Sequence, residues 1–280
     1  MSTPENKPVV LITGCSSGIG LAAAEHMRTL GWTVRPTARK SADLAMLREK
    51  GFDPLELDVM SPDSIQTAVA SLGERIDGLV NNAGYGQPGA LEDLTREAMR
   101  RQFETNVFGL QELTNAVLPL MLARKHGRIV HISSVVGRVA LPFLGIYSAS
   151  KFAVEALADA QRVELRGTGV HVSLVEPGPI VTRFSENAVS MTREDVNLDG
   201  SRFADLYQKE LNQRAGPKTT KPFALPPEAV ARKIAHALTA SRPGTRYHVT
   251  LPATLGALLS RTAPDRLIDF ILGRELQKRL

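Results

Sequence analysis

The sequence predicts an α/β fold: a single doubly wound parallel sheet with helices on both faces, followed by a C-terminal lid and extension. Three observations predict it. Short apolar runs recur between residues 9 and 175, each followed by a stretch with apolar residues at helical spacing. The first run, Val9-Val10-Leu11-Ile12, is continuous rather than alternating, which marks a strand covered on both faces. Hydrophobic residues make up 43% and charged residues 22% of the 280, ordinary globular usage that excludes disordered, collagenous and disulfide-scaffold chains.

The elements follow in order. Strand one is 9–12, ended by Thr13-Gly14, and a helix over 19–30 stops at Gly31. Strand two is 33–38; Pro36 lacks an N–H and suits a sheet edge or a strand end. A helix over 44–50 ends at Gly51, and 54–58 reads as strand three. Ser61, Pro62 and Asp63 form a helix start. Strand four is 76–81, residues 95–121 are mostly helical, strand five is 127–134, a long helix covers 147–165, and strand six is 170–175. Alternation of this kind means right-handed crossovers and a parallel sheet. After Pro177-Gly178 the rhythm breaks. Residues 183–225 form a polar insert of 43 residues dotted with Phe184, Met191, Phe203, Leu206, Tyr207, Leu211 and Phe223, read as a lid without regular structure. A helix over 226–240, a last strand at 247–250 and a terminal helix from Pro264 complete the chain. The reading is one domain: core about 8–182, lid about 183–225, extension about 226–280.

Charge and cysteine narrow the function. The formal net charge is +5, yet residues 221–280 hold ten Lys/Arg against four Asp/Glu, so the excess base lies wholly in the C-terminal part. No nucleic-acid motif accompanies it and aromatics are only 5%, so no nucleic-acid partner is expected. The one cysteine, Cys15, forms no internal disulfide and reads as a packing residue in a reducing compartment. The six histidines show no ligand spacing, and no metal site is expected. The first residues are polar, with no apolar signal segment, and no apolar run approaches the ~20 residues of a membrane span. A cytoplasmic protein is expected.

Residues 13–20, Thr-Gly-Cys-Ser-Ser-Gly-Ile-Gly, sit between the first strand and the first helix. Gly14, Gly18 and Gly20 allow backbone to approach a ligand, and the N–H groups of the helix beginning near Ile19 face the same space. A pyrophosphate suits it, with Ser16 and Ser17 as added hydroxyl donors, in a Rossmann-type arrangement. Arg39 follows strand two, where a guanidinium suits a 2′-phosphate, while the nearest acid, Asp43, lies further on. NADP(H) is therefore expected over NAD. Tyr147 and Lys151 are four apart and share a helix face; an ammonium beside the phenol favours the phenolate, so proton exchange near neutral pH is expected. Ser134 ends strand five, where such sheets place ligands, and its hydroxyl can reach the same substrate oxygen as Tyr147.

With these residues assembled, the chain resembles the short-chain dehydrogenase/reductases from about 9 to 182. The resemblance rests on T-G-C-S-S-G-I-G (13–20), N-N-A-G (81–84), Asn106 within E-T-N-V-F-G, I-S-S (132–134), Y-S-A-S-K (147–151) and P-G-P-I-V-T (177–182). Within the family it is nearest the branch containing 17β-hydroxysteroid and retinol dehydrogenases. The resemblance implies Asn106, Ser134, Tyr147 and Lys151 as the catalytic set. Tyr147 would exchange the proton and Ser134 would polarise the carbonyl. Lys151 would hold the nicotinamide ribose and lower the tyrosine pKa, and Asn106 would hold a relay water. It implies Asn82, Ala83 and Gly84 on the adenosine-ribose side, Asp58 and Val59 flanking the adenine, and Pro177, Gly178, Ile180 and Thr182 on the nicotinamide half. A homo-oligomer is also expected.

The expected activity is interconversion of a carbonyl and an alcohol on a bulky apolar small molecule, steroid-, retinoid- or other ketone- or aldehyde-like, with Tyr147 as general acid/base. The alternatives are a 3-oxoacyl-carrier-type reductase and a dinucleotide-binding redox sensor without turnover; the second has no need of all four catalytic residues. The apolar stretch 141–144 is expected to wall the site. The terminal helix pairs Leu267, Ile268, Ile271 and Leu272 with Arg266, Arg274, Lys278 and Arg279. Its stripe is expected to pack on the domain or a second subunit, with peripheral membrane contact as the other reading.

Overall fold

The computed structural model describes residues 7–182, 184–196, 198, 200–215 and 222–278. Seven parallel strands form one sheet in the order β3-β2-β1-β4-β5-β6-β7: β1 (Val9–Ile12), β2 (Thr33–Ala38), β3 (Leu55–Glu56), β4 (Gly78–Asn81), β5 (Gly127–Ile132), β6 (Val170–Glu176) and β7 (Arg246–His248). The order reverses between β1 and β4, and the carboxyl ends there open the crevice where sheets of this kind take ligands.

Helices α1 (Gly18–Thr29), α2 (Ser41–Glu49) and α9 (Pro227–Thr239) cover one face, with Ile12, Met27, Leu47, Val130 and Ile234 buried between them and the strands. Helices α3 (Pro62–Ala70), α5 (Gly109–Ala123) and α6 (Gly145–Glu164) cover the other, over Leu11, Ile65, Leu79, Leu113, Ile129 and Leu174. Between α4 (Arg96–Phe103) and α5 lies a π-helical turn, Glu104–Phe108, which interrupts the regular hydrogen-bond ladder at Asn106.

Several elements differ from the sequence reading. Strand three shrinks to two residues, since Pro54 has no N–H to give a ladder. Pro36 is not on the sheet edge, but β3 begins to pair only at Thr37, so at Pro36 the strand has one neighbour, β1. Strand five ends at Ile132, leaving Ser133 and Ser134 in the turn beyond it. The insert is not structureless: it holds α7 (Phe184–Asp195) and α8 (Ala204–Ala215). The last strand stops at His248, and Thr250 instead caps α10 (Leu251–Thr262) by accepting from the Ala253 N–H at 3.3 Å. Helix α11 (Asp265–Gln277) buries no residue, against the expected packing of its apolar stripe on the domain. Among the described residues no helix is long and apolar enough to cross a membrane.

Candidate active site

The turn after β1 is shaped by close backbone approaches. Gly14 has φ +70°, and a Cβ on Gly20 would lie 2.3 Å from the Gly14 carbonyl oxygen. Asn82, just past β4, donates from Nδ2 to the carbonyls of Thr13 (2.8 Å) and Gly14 (3.1 Å). Thr13 Oγ1 in turn accepts from the N–H groups of Asn82 (2.9 Å) and Ala83 (2.8 Å). The ends of β1 and β4 are thereby tied across the switch point. Ser16, Ser17, Gly18 and Ile19 stay half-exposed, and the first turn of α1 holds no acid. A helix N-terminus with open backbone and no competing carboxylate fits a phosphate group. Cys15 does not contribute a thiolate: it is fully buried and burial pushes its thiol up to about 12.

On the flank of this turn, Arg39 leaves β2 with its exposed guanidinium 3.8 Å from the half-buried Asp58 carboxylate. Val59 is buried beside the start of α5. Opposite, Thr182 lies against Gly18, and Ile180 bridges to Leu225. Gly178 abuts Thr250, and the Pro177 carbonyl accepts from the Val135 N–H at 2.9 Å. The segment 177–182 thus spans from the Ser134 turn to the glycine turn.

Ser134 sits in extended backbone at the head of a short 3₁₀ turn, Val135–Gly137, where its hydroxyl accepts from the Val136 N–H at 3.3 Å. The Ser134 hydroxyl donates to the Pro177 carbonyl at 3.4 Å and lies close enough to the Tyr147 hydroxyl to act on its ionisation. Lys151 Nζ lies 5.8 Å from the Tyr147 ring centroid and donates to the Ile132 carbonyl at 2.8 Å. Burial sets the electrostatics here. It pushes the Tyr147 phenol up to about 12, with the Ser134 hydrogen bond pulling the other way. It drives the Lys151 ammonium down to about 8, opposed by the Glu155 charge. The expected lowering of the tyrosine pKa by Lys151 is therefore not seen in this geometry: Lys151 is committed to a backbone carbonyl and the phenol stays protonated.

Asn106 uses its amide within the protein. Nδ2 donates to the Tyr85 carbonyl (2.9 Å) and to Ser150 Oγ (3.1 Å), and Oδ1 accepts from the Tyr85 N–H (3.1 Å). Gly84 lets it in, since a Cβ there would lie 2.9 Å from Oδ1. Asn106 therefore joins the π-helical turn, the end of β4 and α6.

Three groups of partners escape a reading by motif. Thr13 stands inside the 13–20 motif without a role of its own there, yet its Oγ1 accepts two hydrogen bonds at the switch point. Tyr85 and Ser150 hold Asn106 and follow or lie within quoted motifs. Behind Lys151, the buried carboxylates Glu155 and Glu176 face Arg138 (3.8 and 3.4 Å) and Arg246 (3.1 and 3.3 Å), with His248 3.0 Å from Glu176. Burial and the Glu176 charge raise the Glu155 pKa. The one signal for this cluster was an acid, Glu176, closing the apolar run 170–175.

The insert packs on the loop after β4. Tyr207 of α8 donates its hydroxyl to Asp93 (2.8 Å) and accepts from the Ala90 N–H (2.7 Å). Asp195 of α7 pairs with Arg101, and Val196 bridges to Leu94. Phe143 stacks edge-on to Phe203 (5.0 Å) and Tyr207 (5.7 Å), in an apolar cluster that includes Ile146, the neighbour of Tyr147.

The switch-point turn and the crevice above it place the chain among the dinucleotide-binding α/β proteins. The model of the short chain dehydrogenase family matches residues 8–193, and the chain belongs to that family. It is 41% identical over 267 residues to the Escherichia coli (strain K12) protein called uncharacterized oxidoreductase YbbO, covering 94% of this chain and 93% of the other. It is 36% identical over 281 residues to the NADPH-dependent 3-dehydrocapnine reductase of Ornithobacterium rhinotracheale, covering 96% and 97%. It is also 36% identical over 258 residues to human 17-beta-hydroxysteroid dehydrogenase type 1, covering 87% and 78%. The structure matches a short-chain dehydrogenase from Streptomyces avermitilis with a TM-score of 0.75, 30% identity and 99% of each chain covered. It matches an actinorhodin polyketide ketoreductase solved with NADPH with a TM-score of 0.71 and 31% identity, covering 89% of this chain and 97% of that one.

Proposed function

We propose that the protein is an NADP(H)-dependent oxidoreductase that interconverts a carbonyl and an alcohol on a bulky apolar small molecule. The observation that carries this is the placement of Ser134 and Tyr147 together, beside a buried Lys151, at the carboxyl edge of the sheet. When bound, the nicotinamide supplies a hydride to the carbonyl carbon. Ser134 orients the carbonyl oxygen, and Tyr147 gives it a proton. A phenol held protonated by burial is suited to that donation at neutral pH, in the direction of reduction. Lys151 holds the nicotinamide ribose, and Asn106 fixes Tyr85 and Ser150 behind it.

Gly14, Ser16, Ser17, Gly18, Ile19 and Gly20 cradle the pyrophosphate. Arg39 meets the 2′-phosphate, Asp58 and Val59 flank the adenine, and Asn82, Ala83 and Gly84 line its ribose. Pro177, Gly178, Ile180 and Thr182 border the nicotinamide half. Two of the similar proteins named above are named or solved with NADPH, in support of this choice over NAD. Phe143, Ile146, Phe203 and Tyr207 support an apolar substrate, as does the likeness to a hydroxysteroid dehydrogenase. A homo-oligomer is part of the reading, since Phe152 and Val163 stand exposed on α6; sedimentation measures it.

The test is consumption of NADPH, followed by absorbance, with a panel of steroid ketones, long-chain aliphatic ketones and a 3-oxoacyl thioester. Faster turnover of the apolar ketones, with NADPH preferred to NADH, is expected. Turnover of the thioester alone would move the protein to the carrier-type alternative. NADPH binding with no turnover of any carbonyl would favour the sensor.

A further inference from the structure

Helix α10 is built with its amphipathicity reversed. Its buried side is Ala253, Gly256 and Ala257, while Leu251, Leu255, Leu258 and Leu259 face outward, 42–59% exposed. At 100° per residue the two sets lie on opposite sides of the helix. The small residues have a packing reason: a Cβ on Gly256 would come within 2.8 Å of Val135, so the helix rests closely on the turn that follows Ser134. Nothing in that packing calls for leucines outside. Helix α11 continues the pattern, with no buried residue and with Leu267, Phe270 and Ile271 exposed by 43–64%. Large apolar side chains exposed in this number on two successive helices mark an interaction surface.

The charges indicate what meets it. On the α11 wheel, Arg274 and Lys278 fall among Leu267, Phe270 and Ile271, Arg266 and Glu275 fall at the two borders with Glu275 paired to Lys278, and Asp265 and Asp269 fall away from them. Helix α10 contains Arg261 and no acid at all. Two copies meeting through such faces would set the Arg274 side chains against one another with Asp265 and Asp269 turned aside and Glu275 already paired within its own helix. An anionic lipid surface accepts both the leucines and the arginines, whose aliphatic stems reach past the apolar layer to the headgroups.

We propose that α10 and α11 dock the protein reversibly on an anionic membrane surface, with Leu251, Leu255, Leu258, Leu259, Leu267, Phe270 and Ile271 entering the interface. The bilayer would then lie about one helix diameter, ~10 Å, from the turn that carries Ser134. The docking stands on the exposed faces and the charges among them and does not depend on the reading of the substrate.

The test is flotation of the full chain with vesicles of phosphatidylcholine, or of phosphatidylcholine mixed with phosphatidylglycerol, at low salt and at about 1 M salt, where the screening length is ~3 Å. The protein should float with the anionic vesicles at low salt and be released at high salt. The variant R261Q/R266Q/R274Q should lose about fivefold in affinity per residue, roughly a hundredfold in all, at ~1 kcal/mol each. The variant L255S/L258S/L259S should not float under any condition, while its NADPH affinity and melting temperature stay those of the wild type, because the changed side chains are outside the core. Absence of the wild type from the anionic float at low salt overturns the proposal. So does a dimer in sedimentation that L255S/L258S/L259S converts to monomer, which would assign the surface to a second copy.

Discussion

The two sides of the crevice are built by different means. On the side of β1, β2 and β4, the wall rests on backbone and short side chains: the Gly14–Gly20 approach, the Asn82 amide on two carbonyls, and Thr13 Oγ1 on two N–H groups. On the side of α6, α7 and α8, it rests on side chains from distant segments, with Phe143, Phe203 and Tyr207 stacked and Asp93 holding Tyr207 across 114 positions of sequence. Backbone recognition tolerates few residue types, so it fixes a motif. An apolar cluster can be filled in many ways, so it leaves none.

That contrast can be broken by experiment. If the first side is backbone-made, one methyl group should undo it. Gly20→Ala would drive a Cβ into the Gly14 carbonyl, and NADPH binding should be lost in calorimetry, whereas Ala replacing an apolar residue of the insert should spare it. Retained cofactor affinity in Gly20→Ala would refute the close-approach account.

His131 tests the seam between the halves. It is buried beside Asn81, whose Nδ2 lies 3.1 Å from its Nδ1, and burial lowers its pKa from 6.5 to about 4. The folded state thus binds fewer protons than the unfolded one between these values. The stability His131 contributes is complete above pH ~6.5 and falls away as the pH drops toward ~4, by up to about 3 kcal/mol. Denaturant melts at pH 7 and pH 4.5 should show His131→Gln less sensitive to acid than the wild type. An identical loss in both would place the acid sensitivity elsewhere.

Arg39→Ala sharpens the first side alone. Removal of a charge-assisted hydrogen bond of roughly 1.5–3 kcal/mol should weaken NADPH about 10–150-fold and leave NADH unchanged. Equal weakening of both would detach Arg39 from the 2′-phosphate. Smaller still, Tyr207→Phe removes two hydrogen bonds worth roughly 0.5–1.5 kcal/mol each and should raise KM several-fold without changing NADPH affinity. Hydrogen exchange would show α8 opening more often; unchanged protection would mean that the insert does not depend on this anchor.

The same contrast explains what could be read in advance. The continuous run 9–12 and the glycines after it allowed one interpretation only, because both faces of that strand must be apolar and the turn excludes side chains. Ser134 is legible from its place at the carboxyl end of strand five, although it stands just beyond the strand rather than in it. Helices α7 and α8 escape the sequence reading although Phe203, Leu206, Tyr207 and Leu211 stand at helical spacing, because the insert is long and polar and the residues it packs on, Phe143 and Leu94, lie far away in sequence. In α10 the leucines face outward and the small residues Ala253, Gly256 and Ala257 make the contact, because an apolar stripe alone does not say which way it faces. The ammonium beside Tyr147 predicted a lowered pKa, but sequence spacing carries no information on burial, which prevails here.

The most direct test of the account compares Tyr147→Phe with the wild type in two measurements on one preparation: NADPH binding by fluorescence and NADPH oxidation with a ketone substrate. The ring stays and only the exchangeable proton goes. The account predicts unchanged NADPH affinity and turnover lower by roughly 10²–10⁴-fold. Near-normal turnover in Tyr147→Phe would contradict it.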